Sequence, residues 1–148
     1  MFCCKVTCAD EQGHVWLGGS GYGDILYFSE DYGYTFSPIP IAMEERHWST
    51  ISAFDMQYLN HGIAGIEWYS PDGNHTSIGQ LLLTEDNWQT VQSIPTPVNT
   101  IVSKARFWRD LWVIQQKDEV FIPLLRRLNG SVFPSMWWTF SPIKKGEI

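Results

Sequence analysis

The chain repeats one short pattern at long range. Residues 29–36 read Ser-Glu-Asp-Tyr-Gly-Tyr-Thr-Phe and residues 84–91 read Thr-Glu-Asp-Asn-Trp-Gln-Thr-Val, so a hydroxyl, an acid two positions on and a threonine four beyond that recur at the same offsets. The sequels match as well: Ser37-Pro38-Ile39-Pro40 follows the first copy and Ser93-Ile94-Pro95 the second. A third, more eroded copy spans Phe133 to Ile143, where Thr139-Phe140-Ser141-Pro142-Ile143 repeats Thr35 to Ile39 residue for residue and Ser135 replaces the acid. Asp31 and Asp86 stand 55 positions apart, and Ser135 follows 49 later. A period of about fifty residues with four strand-like segments per period restricts the chain to stacked antiparallel β-units.

The first copy indicates what the pattern is for. It lies between two strand-like runs, Ile25 to Phe28 and Phe36 to Ile39, where a hairpin should turn. The Asp31 carboxylate can accept bonds from backbone N–H groups just ahead of it, Gly33 tolerates positive φ, and the Ser29 and Thr35 hydroxyls can close the loop from both sides. Phe36 opens the returning strand and is expected to pack inward. On this reading Ser29, Asp31, Gly33, Thr35, Phe36, Thr84, Asp86 and Thr90 are structural loop residues. The pattern resembles the Asp-box of BNR, or sialidase-type, β-propellers, in which the box joins the third and fourth strands of a blade. The resemblance runs along most of the chain and implies an all-β fold of four-stranded antiparallel β-propeller-type blades, about three per chain. Gly33 corresponds to Trp88 and Trp137, and tryptophan does not readily take positive φ, so only the first loop is expected to keep its geometry.

One domain, 1–148, with repeats at about 1–45, 46–98 and 99–148, accommodates the strand signals. They run from Cys4 to Ala9, Val15 to Gly18, Ile25 to Phe28 and Phe36 to Ile41; then Ile51 to Leu59, Ile63 to Trp68, Ile78 to Leu83 and Val91 to Ile94; then Ile101 to Trp108, Leu111 to Gln115, Val120 to Leu125 and Thr139 to Ile143. The glycine-rich stretch Gly18 to Gly23 reads as a hairpin loop, since no lysine follows it and no helix pattern opens after it as a phosphate cradle needs. Residues 42–47 are the one expected helical turn.

Charge and cysteine usage exclude several partners. The net charge is −6, and cations are scattered apart from Arg126-Arg127 and Lys144-Lys145, which leaves no basic stripe for nucleic acid. The first residues, Met1-Phe2-Cys3-Cys4-Lys5, carry neither a signal-peptide pattern nor a bilayer-spanning run, so the expected setting is the cytoplasm or a virion, with no membrane contact. Cys3, Cys4 and Cys8 crowd one strand, a poor disulfide framework that points to free thiols, and no second Cys or His pair stands at metal-ligand spacing. No metal or cofactor is expected.

Nor does catalytic chemistry emerge. A sialidase-type site would need an arginine cluster, a tyrosine with a neighbouring glutamate and an acid/base aspartate. Four of the five arginines lie in the last repeat, no Arg-Ile-Pro element opens the chain, and no catalytic residue carries over. Glu30-Asp31, Glu44-Glu45 and Glu85-Asp86 are adjacent pairs, which on a strand point to opposite faces. His14, His47, His61 and His75 stand apart, and Gly18-Gly19-Ser20-Gly21 lacks the strand-to-helix setting of a nucleophile elbow. The aromatics remain. Tyr22, Trp68, Tyr69, Trp88, Trp137 and Trp138, together with Tyr32 and Tyr34, fall at strand ends or in loops, where rings stack on sugars or anchor a protein partner. Propellers close with about four to eight blades. Three blades therefore imply a ring completed by another chain, as a homodimer or within a larger hetero-assembly. The expected function is a non-enzymatic structural or protein-interaction subunit of such an assembly, a virion or an assembly-factor complex being examples. A carbohydrate-binding, lectin-like module is the alternative, and a glycosidase-related enzyme comes third.

Overall fold

The computed structural model describes residues 3–41, 48–69, 77–108, 111–128 and 131–140, and no helix occurs among them. The expected helical turn at 42–47 lies outside the described residues. Among the described residues twelve strands form two antiparallel sheets, one of eight strands and one of four, and in chain order they make three successive four-stranded meanders of the propeller-blade type, the first two joined in the eight-stranded sheet. Unit 1 contains β1 (Cys3–Ala9), β2 (Val15–Tyr22), β3 (Leu26–Ser29) and β4 (Ser37–Ile39). Unit 2 contains β5 (Trp48–Gln57), β6 (His61–Tyr69), β7 (Ser77–Thr84) and β8 (Gln92–Ile94). Unit 3 contains β9 (Val102–Trp108), β10 (Leu111–Gln116), β11 (Glu119–Leu128) and β12 (Ser131–Phe140). Each strand pairs with the next within its unit. The far end of β2 also pairs with the start of β5, Ser20 opposite Thr50 and Tyr22 opposite Trp48, which hydrogen-bonds unit 1 to unit 2.

Unit 2 is buried on both faces, and its sequence shows why. In the run Leu81-Leu82-Leu83, Leu82 joins a core cluster with Trp16, Ile25 and Leu26 of unit 1, while Leu81 and Leu83 join a second cluster with Val102, Ala105, Trp112, Ile114 and Phe121 of unit 3. Successive strand residues point to opposite faces, so an uninterrupted apolar run is what a strand between two seams requires. β5 and β6 divide in the same way, Phe54, Ala64 and Ile66 toward unit 1 and Ala53 and Ile63 toward unit 3. Each fully buried branched side chain here contributes about 1.5–3 kcal/mol.

Cross-strand registers make positions in the three units equivalent. Cys8–Trp16–Phe28 in unit 1 corresponds to Asp55–Ile63–Leu83 in unit 2, since Phe28 and Leu83 each stand three residues before a loop aspartate. The buried row Phe54–Ala64–Leu82 corresponds to Ala105–Ile114–Phe121 in unit 3, which makes Arg106 and Val113 the counterparts of Asp55 and Ile63. Each unit thus has a leading and a trailing face, and at the two internal seams the leading face of units 1 and 2 packs on the trailing face of the unit that follows. The trailing row of unit 1 is Thr7–Leu17–Tyr27–Pro38, and the leading side of unit 3 carries Lys104, Arg106, Val113, Gln115, Val120 and Ile122. These residues are exposed or half-exposed and belong to neither core cluster.

Two expectations need correction. The glycine-rich stretch 18–22 is strand, the second half of β2. A Cβ on Gly18 would lie 2.6 Å from Val6 Cγ2 and 2.9 Å from Ile51 Cδ1, so glycine serves close packing at the first seam rather than a turn. The third sequence copy is not a loop either. Over its described residues it belongs to β12, which pairs with β11 through 131–140, Leu124 opposite Met136 and Val120 opposite Phe140, with a register shift that leaves Ser135 out of the pairing; residues 141–143 lie outside the described residues. The β11–β12 hairpin closes at the Leu128–Ser131 pair, and the intervening dipeptide, Asn129-Gly130, is the strongest sequence signal for a two-residue hairpin turn.

Candidate functional site

The two intact sequence copies form matching loops between the third and fourth strands of their units. In the first, the Ser29 hydroxyl donates to Asp31 Oδ1 (2.7 Å) and accepts from the amides of Asp31 (3.2 Å) and Gly33 (2.9 Å). Asp31 in turn accepts the Thr35 amide (2.8 Å) and hydroxyl (2.6 Å). In the second, the Thr84 hydroxyl donates to Asp86 Oδ1 (2.9 Å) and accepts from the amides of Asp86 (3.2 Å) and Trp88 (2.9 Å), and Asp86 accepts the Thr90 amide (2.8 Å) and hydroxyl (2.7 Å). Each loop is tied to the neighbouring turn of its own unit, Tyr32 N–H to the Gly13 carbonyl and Asn87 N–H to the Asn60 carbonyl, both 2.9 Å. The donors fix the electrostatics. The Thr35 hydroxyl, then its amide and Ser29, hold the Asp31 carboxyl down to about 2, and the Thr90 amide and hydroxyl lower Asp86 in the same way.

The expectation that only the first loop keeps its geometry is overturned. Trp88 takes φ 67° and Asn87 φ 51°, against 85° for Gly33 and 60° for Tyr32. A left-handed tryptophan costs about 1–2 kcal/mol. Its ring offsets that cost by burial: Trp88 is 2% exposed, stacked on Phe54 with centroids 5.6 Å apart, and its Nε1 donates to Met56 Sδ at 3.3 Å. Trp88 is therefore a seam residue rather than the ligand or partner contact that the sequence pattern implied. Phe36 is also displaced from its expected inward position. It is 36% exposed and lies over Gly33, beside Val15 on the open face of unit 1.

The remaining candidate rings do not converge on one point. Tyr22 (67% exposed) stands edge-on to Trp48 at 5.1 Å, and the β2–β5–β6 pairing sets Trp68 and the exposed Tyr69 beside them at one end of the units. Tyr32, Tyr34 and Tyr58 are exposed at the opposite end, where the β1–β2 and β5–β6 turns lie. Trp137 and Trp138 sit in β12 opposite Pro123 and Ile122, and their side chains lie outside the described residues. Trp48 was not legible as a partner of Tyr22, because only the long-range pairing of β2 with β5 brings them together.

A groove of about 380 Å³ lies between the first strands of the three units, β1, β5 and β9. Asp55 reaches across it, accepting the Phe107 amide of unit 3 at 2.8 Å and the Met56 amide at 3.1 Å. Arg106 Nη1 donates to the carbonyls of Phe54 (3.1 Å) and Ala105 (2.9 Å). Cys8 lines the same groove, and burial raises its thiol above the ordinary range. At the turn end, the His14 ring lies 2.6 Å from the Asp10 carboxylate. Partial burial raises the Asp10 carboxyl, but the bonds from His14 and Gln12 outweigh it and lower it overall. Among the described residues no group of three His, Cys, Asp or Glu side chains could hold a metal ion, and no helix is long and apolar enough to cross a membrane.

No protein-family model matches the chain, and no curated protein matches it in sequence. Among solved structures, that of YCF48 bound to D1 peptide is similar over 95% of this chain, with a TM-score of 0.40 and 12% identity. The chain spans 53% of that protein, about half its length.

Proposed function

We propose that this chain is a β-propeller-type subunit whose work is protein contact within a larger assembly, not catalysis. One observation carries the reading: unit 2 is covered on both faces by its neighbours, whereas Leu17 and Tyr27 on the trailing face of unit 1 and Val113, Val120 and Ile122 on the leading face of unit 3 are only partly buried at positions that are core in the internal seams. On this reading the Ser29–Phe36 and Thr84–Val91 loops are Asp-boxes of the BNR kind, acting as joints between the third and fourth strands of each blade. Further blade-type units, of this chain or of another, would cover the two open faces. The free thiols of Cys4 and Cys8 and the acidic charge fit a reducing intracellular setting or a virion. The experiment is native mass determination on the chain isolated from its own source under gentle cross-linking. A stoichiometric complex with other polypeptide chains is expected, and a lone chain in its native setting refutes the reading.

A second reading rests on the Tyr22–Trp48 ring pair, with Tyr69 exposed beside it at one end of the units, which suits stacking on a sugar. A glycan array distinguishes it: specific binding that is lost in Tyr22→Ala supports a lectin-like module, and silence removes it.

A further inference from the structure

We propose that the ring row Tyr22–Trp48–Tyr69, with the Glu67 carboxylate beside it, is a docking site for a proline-rich peptide segment flanked by a basic residue. The inference rests on the protein-contact reading above and names the chemistry of one partner. Register dictates the row. Tyr22 of β2 stands opposite Trp48 of β5, and one step beyond the Ser49–Trp68 pair the same register sets Trp48 opposite Tyr69 of β6. Directly opposed residues of antiparallel strands project from one face, so these three rings share a face and Trp68 takes the other. Beneath them lies a second row, Ser20, Thr50 and Glu67, in which Ser20 Oγ and Thr50 Oγ1 are 2.6 Å apart and both residues are buried. The rings thus stand on paired strands, so binding needs little ordering of the chain. The 96–101 connection crosses the same face at Gly79, opposite Glu67, where a Cβ would meet the Thr100 carbonyl at 2.5 Å. The row therefore opens at one end of units 1 and 2, independently of what covers the outer faces.

Shape and chemistry suit a polyproline helix. Tyr22 is 67% and Tyr69 38% exposed, and Tyr22 meets Trp48 edge-on at 80° with centroids 5.1 Å apart. Rings at right angles leave a notch, whereas a sugar stacks on a flat ring face. Pyrrolidine rings of a polyproline II helix fill such notches, and the helix is already ordered before it binds. The spacing agrees: two strand intervals, about 9.6 Å, separate Tyr22 from Tyr69, and one three-residue turn of polyproline II advances about 9.3 Å. Peptide residues three apart thus meet Tyr22 and Tyr69, with Trp48 between them. The Trp48 indole N–H and the Tyr22 hydroxyl can donate to peptide carbonyls, which make no bonds within such a helix. Charge selects the flank. The Glu67 charge raises the Tyr69 phenol above its ordinary range, and a hydrogen bond between the two adds to this. Asp24 follows Tyr22 two residues on and is exposed. With a carboxylate near each end of the row and no lysine or arginine in either row, a flanking arginine or lysine is the complement.

The test is fluorescence anisotropy of a labelled decaproline peptide with arginine at both ends, titrated with the purified chain. A glycine–serine peptide of equal length and charge is the control. Saturable binding at least about tenfold tighter than the control is expected. Tyr22→Ala, at an exposed position, and Trp48→Ala should each weaken it at least about tenfold. Glu67→Gln should weaken it about two- to fivefold at low salt and less at high salt, and an unchanged affinity overturns the basic flank. Equal affinity for the two peptides, or an unchanged affinity in Tyr22→Ala, overturns the proposal; if Trp48→Ala does not fold, Tyr22→Ala decides alone. Binding of cellohexaose or chitohexaose that is lost in Tyr22→Ala, with no binding of the peptide, overturns it in favour of the sugar reading. A chain that ignores the peptide but is recovered in a stoichiometric complex refutes this site only, whereas the protein-contact reading falls if the chain is alone in its native source.

Discussion

Replacing Trp88 sets two opposed effects against each other. The ring is 2% exposed, stacked on Phe54 and bonded to Met56, so deleting it should cost about 3–5 kcal/mol in lost transfer energy and cavity formation. The backbone at φ 67° carries a strain of about 1–2 kcal/mol that glycine relieves and alanine keeps. Glycine gives back about 0.4–1 kcal/mol of this through the greater freedom of its unfolded chain. The difference leaves Trp88→Gly more stable than Trp88→Ala by about 0.5–1 kcal/mol. That order reverses the one at an ordinary strand site, where glycine is worse than alanine by about the same amount. Urea denaturation followed by far-UV circular dichroism, with slopes compared so that a shift in midpoint reports stability, gives the answer. An alanine variant as stable as the glycine variant, at equal slope, would refute the claim that burial holds Trp88 in a strained backbone state.

Three further predictions follow from the geometry. Asp31 has an ordinary carboxyl pKa near 3.8 when unfolded and about 2 when folded, and Asp86 is lowered likewise, so both loops contribute fully above about pH 4 and lose that contribution as the pH falls toward 2. Calorimetry should show Tm falling less steeply over that window in Asp31→Asn with Asp86→Asn than in the parent, and parallel slopes would contradict the assignment. Gln116 is fully buried, with Nε2 donating to the Val98 and Thr100 carbonyls (both 2.9 Å) and Oε1 accepting the Val98 amide (3.2 Å), so Gln116→Leu should cost about 2–4 kcal/mol and speed hydrogen exchange at Val98 N–H; unchanged exchange would mean that the 96–100 connection does not depend on it. Gly18→Ala should cost about 1–3 kcal/mol through contact with Val6 and Ile51, and a neutral result would show that the first seam yields.

What the sequence revealed was local or periodic. The Asp31 loop was legible because its side-chain bonds span at most four residues, the Asp86 loop was legible in its bonding residues but not in its geometry because Trp88 stands where glycine was expected, and unit 2 was legible as strands because Leu81-Leu82-Leu83 stands between turn signals. The errors arose where partners are distant in sequence. Gly18 to Gly21 look like a loop until β1 and β5 are placed against them. Thr139 to Ile143 match Thr35 to Ile39 letter for letter, yet the pairing of β11 with β12 runs through Thr139 and Phe140, and the better physical signal was Asn129-Gly130. The β2–β5 pair that joins Tyr22 to Trp48, and the reach of Asp55 to Phe107 over 52 residues, had no sequence signal at all. Blade pattern and loop chemistry were therefore readable, while the groove and the seams were not.

The two loops also differ in a way that the seam explains. Gly33 is followed three residues later by Phe36, whose Cζ lies 3.6 Å from where a Cβ on Gly33 would stand. At the matching positions unit 2 has Trp88 and Val91, both packed in the first seam. Small-then-large in unit 1 becomes large-then-small in unit 2, so the two residues fill one space between them, and the glycine of the pattern is a choice of volume as much as of backbone. This makes the pair transferable. Trp88→Gly combined with Val91→Phe installs in unit 2 the arrangement of unit 1, and the second change should recover about 1–2 kcal/mol of the loss from the first, although Val91→Phe alone overpacks the seam. A double-mutant cycle by urea denaturation measures the coupling. Effects that add within about 0.5 kcal/mol would mean that the two side chains do not share a space, and that Gly33 is dictated by its backbone alone.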